Sequence, residues 1–441
     1  MRSNRPLRIA IYDPSGRGGI CHYTFQLAES LAEIGCDVTV MTTETYELKD
    51  LPRNFKVRIL FKKSWLKNWL INIMPQNPRQ NVISSLKNHV AAGESQNRRI
   101  ADFLKNLRLR IIFSKAVLAL LWSRPHLIHF QWLANGRGDL YFIKLLKLFG
   151  FKIVYTAHDL LPHDMDIPEN RRFFQNVYEL ADRLIVHADN IKEEMIGIFD
   201  IDPIKIYVIP HGSNTLFFSQ NGASKQAARD RLGIPLDKKV ILFFGLIKPY
   251  KGLEYLLEAF KEIKEQVENV MLVIAGRVAD EDTAVYYHYC KLLAEFADNS
   301  AVRCLTEYIP FDEVGYFFST TDVVVLPHVK PSQSGVLLSA IAAGKPVVVT
   351  DAGGLSEVVN NAQIGFVVPP KDAKALAKAT IKILKTPGLL EQMGREAKIL
   401  ADTTYSWKTV ATTTINVYQT LNSPNVSLVG SKGRAADKSF L

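Results

Sequence analysis

Apolar positions fall in short runs, each followed by a turn and then by a stretch with helical period. Arg8–Tyr12 predicts a strand, Gly16–Gly19 a turn, and Tyr23–Ile34 a helix with Phe25, Leu27, Ala28, Leu31 and Ala32 facing inward. Asp37–Met41 predicts the next strand, followed by others at Leu127–Gln131, Lys152–Thr156, Arg183–His187 and Lys205–Ile209. Strands alternating with helices in this way fold through right-handed crossovers into a parallel sheet covered on both faces. After the polar stretch Ser213–Asp230 and the turn Gly233–Pro235 a second series begins. Its strands are predicted at Val240–Phe244, Val270–Ala275, Val302–Leu305, Val323–Leu326 and Pro346–Val349, with helices such as Leu253–Gln266 and Glu313–Ser319. The fold class is therefore α/β, with Rossmann-like doubly wound domains over 1–212 and 213–405. Two such domains place a cleft between their carboxyl edges, where open α/β sheets bind ligands. A last helix is expected within 406–421, and the polar 422–441 reads as a disordered tail.

Composition agrees with two cores, since 441 residues at 47% hydrophobic exceed one ordinary domain and exclude a disordered chain. Cys21, Cys36, Cys290 and Cys304 have neither disulfide-framework nor zinc spacing, which fits a reducing compartment. The first residues lack a signal-peptide core, and the apolar run Ile111–Trp122 is too short to span a bilayer. A cytoplasmic location is expected on these grounds. Charge sharpens the picture, because the net +10 is unevenly spread. From Lys56 to Arg124 the chain carries 14 Lys/Arg against Glu94 and Asp102, a local excess of +12. This basic insertion, 56–124, holds Lys62, Lys63, Lys67, Arg98 and Arg99 with Trp65 and Trp69. Such a mixture suits an anionic membrane surface or an anionic acceptor. No recognisable nucleic-acid module accompanies it, so nucleic acid is not expected as a partner.

Candidate chemistry lies at strand ends. Gly16-Arg17-Gly18 follows a strand, but Cys21 stands where a dinucleotide fingerprint needs its third glycine. Gly18-Gly19 opening a helix is expected to offer free N–H groups to an anionic or hydroxylated ligand. Asp164-Met-Asp166, Asp200-Ile-Asp202 and Asp280-Glu-Asp282 are weak metal candidates, and no metal is assigned. In the second half, the loop from Gly245 to Gly252 carries Lys248 and Lys251, whose ammonium groups can neutralise a departing diphosphate. Ser334, Gly335 and Val336 open another helix, so a hydroxyl and unpaired N–H groups address the same point.

Taken in order, Gly18-Gly19, Thr156-Ala-His158-Asp159, Ile209-Pro-His211-Gly212, Phe244-Gly245, Tyr250-Lys251-Gly252, Ser334-Gly335-Val336, Ala343-Gly344-Lys345-Pro346 and Gly353-Gly354 with Glu357 resemble retaining GT-B glycosyltransferases of family 4. The resemblance runs from Leu7 to about Leu421 and weakens between Lys56 and Arg124. It implies a nucleotide-sugar donor, UDP- or GDP-linked, in the second domain, an acceptor in the first, and neither cofactor nor catalytic metal. It also implies a final helix crossing back to the first domain. By the same resemblance Gly19, His158 and Lys251 belong to the reacting region, while Gly18, Gly245, Lys248, Ser334, Gly335 and Val336 contact the donor. The family's two glutamates fall on Pro331 and Ser339, leaving Ser339 as a weaker ribose contact, and Lys248 stands in for a family arginine at Leu246. The implied activity is metal-independent, retaining hexosyl transfer to a glycan or polyprenyl-linked acceptor in exopolysaccharide or cell-surface glycan synthesis, at the inner face of the cell membrane. A sugar-nucleotide 2-epimerase or an inactive nucleotide-binding scaffold would share the architecture.

Overall fold

In the computed structural model the described residues are 6–61, 109–134, 136–161, 166–219, 224–279, 283–296, 299–330 and 334–421. The basic and aromatic residues Lys62, Lys63, Trp65, Lys67 and Trp69, Pro331 of the Ser-Gly-Val loop, and the tail 422–441 lie outside them.

The first sheet has seven parallel strands in the order β3-β2-β1-β4-β5-β6-β7. They are β1 Arg8–Tyr12, β2 Asp37–Thr43, β3 Lys56–Phe61, β4 Leu127–Phe130, β5 Ile153–Thr156, β6 Arg183–Val186 and β7 Ile206–Val208. The second sheet has six parallel strands, β10-β9-β8-β11-β12-β13. Here β8 is Lys239–Phe244, β9 Val270–Ala275, β10 Val302–Leu305, β11 Val323–Leu326, β12 Val347–Thr350 and β13 Gly365–Val368. Both sheets are buried on both faces, which is why central strands such as Val323–Leu326 read as unbroken apolar runs. Alternate residues still divide between layers: Ile241 and Phe243 join one core, Val240 and Leu242 the other.

Two strands escape the apolar-run reading. β3 is an edge strand whose exposed Lys56 and Arg58 make it look like part of the basic block. The insertion thus begins after Phe61, and at its far end the helix 109–123 belongs to the core, with Phe113 stacked on Phe142 and buried. β13 opens on Gly365, where a Cβ would meet Val347 O at 1.8 Å, so the pairing with β12 requires glycine. Among the described residues no helix is long and apolar enough to cross a membrane.

The chain order reverses between β1 and β4 in the first sheet and between β8 and β11 in the second. Reversal leaves a crevice beyond the carboxyl ends of each strand pair. The segments that follow β1, β8 and β11 carry Gly18, Lys251 and Ser334 respectively. The helix Trp407–Gln419 returns from the second sheet to the first, where Trp407, Val410, Ala411 and Tyr418 join the core of β1 and β2. Trp407 donates from Nε1 to Ser213 O at 2.7 Å and lies so close to Gly212 that a Cβ there would meet the indole at 2.5 Å.

Candidate active site

The donor-side residues converge through backbone constraints. β8 is followed at once by Gly245, whose φ of +98° suits glycine, and the 3-10 turn Pro249–Lys251 closes on Gly252 at φ +65°. A Cβ on Gly252 would meet Pro327 O at 2.1 Å, and Val329 N donates to Tyr250 O at 2.7 Å, so the loops after β8 and β11 are tied together. Lys251 is thereby folded back over the strand end. Its Nζ lies 3.1 Å, and Val336 Cγ2 3.5 Å, from the point where a Gly245 Cβ would stand. Gly245, Lys251 and Val336 are therefore brought to one place.

At that place the helix Gly335–Ala342 begins, capped by Ser334 in extended conformation with no side-chain cap bond. The amide groups of its first turn add partial positive charge to the Lys251 ammonium. Lys251 is 9% exposed, and among the described residues no carboxylate pairs with it. Burial, with Lys248 adding repulsion, lowers its ammonium to about 8. A buried cation without a counter-ion at a helix N-terminus is a receptor for an anion. Since the ammonium deprotonates as pH rises through that value, kcat/KM, which reports the free enzyme, is expected to fall above pH 8. A pH profile of donor consumption that stays level to pH 9.5 would remove Lys251 from that role.

Ser339 departs from its expected role. It is 3% exposed, donates from Oγ to Gly335 O at 2.8 Å and accepts from Asn214 Nδ2 at 3.0 Å. Its hydroxyl fastens the linker to the helix, with its one proton committed to Gly335 O. Gly18 departs too, since its N–H donates to Glu47 Oε1 at 2.7 Å and is not free. Glu47 also contacts His22 Nε2 at 2.6 Å and accepts from Tyr308 of the second domain at 3.2 Å. Burial alone would raise its carboxyl, but the contacts with His22, Gly18 and Tyr308 outweigh that and lower it. This remote cap also explains why the helix starts at Gly18 and not at Tyr23. Among the described residues nothing fills the space beside Gly18 and Gly19, so backbone approach there stays open.

His158 follows β5 and sits in a string of rings. Its Nε2 lies 3.0 Å from Gln131 Oε1 and its Nδ1 3.2 Å from His187 Nε2. The Ile209 carbonyl and Gln131 Oε1 can only accept, so His187 carries its proton on Nδ1 and His158 carries its own on Nε2, donated to Gln131, which leaves His158 Nδ1 and His187 Nε2 facing each other without a proton between them. Tyr23 packs edge-on against His158 at 4.7 Å and against His211 at 4.6 Å. Burial and the neighbouring histidines push His158 well below its ordinary value, so it is neutral, with both nitrogens turned to protein partners. It can shape the site but is not a free acid or base.

Of the Asp-x-Asp triplets, Asp166 forms a fork with Arg171 and Asp202 caps Ile204 N at 3.0 Å. Asp164 and Asp280–Asp282 lie outside the described residues. Sequence reasoning missed Glu47, Gln131, His187, Asn214 and Tyr308. His187 had a signal: it ends a predicted strand, as His158 and His211 each follow one by two residues, and parallel neighbours put the three side by side. Glu47, in a loop 29 residues from Gly18, had none.

Two Rossmann-like parallel sheets, with an anion-receiving strand end on one and a glycine turn on the other, form the GT-B arrangement, and the family matches say which enzymes share it here. Residues 224–399 match the family Glycosyl transferases group 1, and residues 17–215 match Glycosyltransferase Family 4. The chain belongs to this family of glycosyltransferases. It is 30% identical over 298 residues to a D-inositol 3-phosphate glycosyltransferase of Corynebacterium diphtheriae, covering 65% of this chain and 68% of that one. An uncharacterized glycosyltransferase of Methanocaldococcus jannaschii is 33% identical over 251 residues, 56% of this chain, and the match spans 62% of that relative's length. Among solved structures, Anabaena HepE in complex with UDP and glucose superposes with TM-score 0.70 at 17% identity over 95% of this chain and all of that one.

Proposed function

We propose that the protein transfers a hexose from a UDP- or GDP-sugar to a glycan or lipid-linked saccharide, with retention of configuration, in exopolysaccharide or cell-surface glycan synthesis. The observation that carries this reading is the buried, unpaired Lys251 against Gly245 and Val336 at the start of a helix. An anionic leaving group seated there gains charge stabilisation as the glycosidic bond breaks. The solved relative HepE holds UDP and glucose, which favours a uridine nucleotide. Lys248 joins Lys251 on the diphosphate, and Ser334, Gly335 and Val336 cradle it from the other side. The sugar lies toward Gly19 and His158. With no free acid or base at His158, the leaving diphosphate takes the acceptor proton as the new bond forms on the same face. The enzyme supplies orientation and charge. The basic segment after Phe61 attaches the protein to an anionic membrane face bearing the acceptor.

A screen of donor hydrolysis across UDP- and GDP-sugars, with anomeric analysis of product by NMR, tests the reading. One or a few donors are expected to be consumed, with the anomer retained. Consumption of none, or inversion, refutes it. Activity is further expected to persist in excess EDTA, because two lysines and a helix N-terminus act on the diphosphate. Loss of turnover that magnesium or manganese restores would overturn the metal-independent mechanism.

A further inference from the structure

The helix 109–123 is apolar on two faces. Phe113, Ala116, Val117 and Leu120 are buried in the core of the first domain, as an amphipathic surface helix requires. On the opposite side Ile111, Lys115, Leu118 and Trp122 follow one another at helical spacing in the open, with Leu118 66% and Trp122 92% exposed. The helix Arg137–Leu148 extends this surface. Phe113 stacks on Phe142 at 4.6 Å and Arg110 lies over the Tyr141 ring, so the two helices are side by side. Each runs into one of the paired parallel strands β4 and β5, so they also point the same way. Trp122 is nine residues beyond Phe113 and Leu148 six beyond Phe142, which carries them about 13 and about 9 Å past the stacked rings to a common end. There Leu148 is 79% exposed, and Phe149 follows it into solvent.

Scattered exposed apolar residues are ordinary, but large ones gathered at one end mark an interaction surface. Charge identifies what covers it. From 109 to 152 the chain carries seven Lys/Arg against one acid, Asp139, which is buried and accepts from Tyr12 at 2.6 Å. Arg110, Lys115, Arg124, Lys144 and Lys152 are exposed, and Asp182 from the turn before β6 meets Lys147 at 2.8 Å and Lys152 at 3.9 Å. A second copy of the chain would set these cations against one another. A protein partner fits less well too, since lysine is depleted from protein interfaces. A bilayer with anionic headgroups suits both features, because aromatic and aliphatic side chains enter the acyl boundary while lysine and arginine reach back to the phosphates.

We infer that the outer face of helix 109–123 and the end of the helix Arg137–Leu148 form an attachment face for an anionic bilayer, entered by Leu118, Trp122, Leu148 and Phe149. The inference rests on the membrane attachment proposed above and adds to it apolar insertion by residues outside the basic segment. The face lies at the amino ends of β4 and β5, away from the crevice at their carboxyl ends, so attachment leaves the crevice open.

Co-sedimentation of the full chain with vesicles of phosphatidylcholine alone, and of phosphatidylcholine with about one third phosphatidylglycerol, tests it. The protein is expected on the anionic vesicles, and part of it is expected to stay there in about 0.5 M NaCl, where screening weakens charge but not apolar insertion. The triple variant Leu118→Gln, Trp122→Gln, Leu148→Gln is expected to lower the partition by about tenfold or more and to abolish the salt-resistant part, and Trp122→Gln alone to lower it by a smaller factor. Thermal midpoint and donor turnover in free solution are expected to be unchanged. Equal recovery on both kinds of vesicle, or folded variants that bind as the wild type does, overturns the inference. If the triple variant binds normally while replacement of Lys62, Lys63 and Lys67 by Glu abolishes binding, attachment belongs to the basic segment alone and the reading above stands without this one. A wild-type protein that binds neither vesicle overturns both. A wild-type dimer that the triple variant turns into a monomer in light scattering assigns the face to a second copy instead.

Discussion

Replacing Lys251 by alanine is expected to lower turnover at saturating donor about 100-fold, or about 2.7 kcal/mol of transition-state stabilisation. The size follows from the setting. A surface ammonium would be screened by water, but this one is 9% exposed, held against Gly245 and pointed at a helix start. Negative charge grows on the leaving diphosphate as the sugar departs, so the interaction strengthens most in the transition state and appears in kcat more than in KM. The fold should not suffer. With no carboxylate partner among the described residues, Lys251 is a buried charge whose removal relieves desolvation, so the thermal midpoint is expected to hold or rise. Steady-state kinetics beside a thermal melt decide the matter. A folded Lys251→Ala protein with near wild-type turnover would place the diphosphate elsewhere.

Much of the architecture was legible because parallel strands buried on both faces are written as plain apolar runs. β1, β9 and β11 coincide with their predicted bounds for that reason, and β10 coincides too although it is a half-buried edge strand carrying Arg303. β3 was not legible, since an edge strand can carry Lys56 and Arg58 on its open side. The convergence of Gly245, Lys251 and Val336 was legible as ordered fragments, but their distances depend on Gly252 meeting Pro327, a contact across 75 residues that no local pattern records. The roles of Ser339 and Gly18 misread for one physical reason. A polar group on a helix can be satisfied by a remote side chain, here Asn214 for Ser339 and Glu47 for Gly18, and sequence spacing shows only that it needs a partner.

Acidification below pH 6.5 is expected to destabilise the first domain steeply. His129 and His187 are buried and His211 half-buried, and their desolvation lowers them to about 3, about 4 and about 3, with His158 lowered in the same cluster. Each is neutral in the folded protein at pH 7, and each takes a proton near 6.5 once unfolded. The unfolded chain therefore binds more protons between 6.5 and the folded-state values. Stability is full above 6.5 and is lost as pH falls through that window, by about 1.4 kcal/mol per ring per pH unit. At pH 5 that is roughly 2 kcal/mol for each ring, a large share of an ordinary domain's stability. Asp13 acts in the opposite sense, because burial raises its carboxyl and the folded protein gains from protonating it, but it is one group against four. Most other carboxylates titrate lower, so a loss already present at pH 5.5 belongs to the rings. Urea unfolding at pH 7.5, 6.0, 5.5 and 5.0 measures it. A midpoint unchanged across that series would mean that the histidines are charged or solvated in the folded state, and the string from Tyr418 through His129 and Gln131 to His158 would then have to be redrawn.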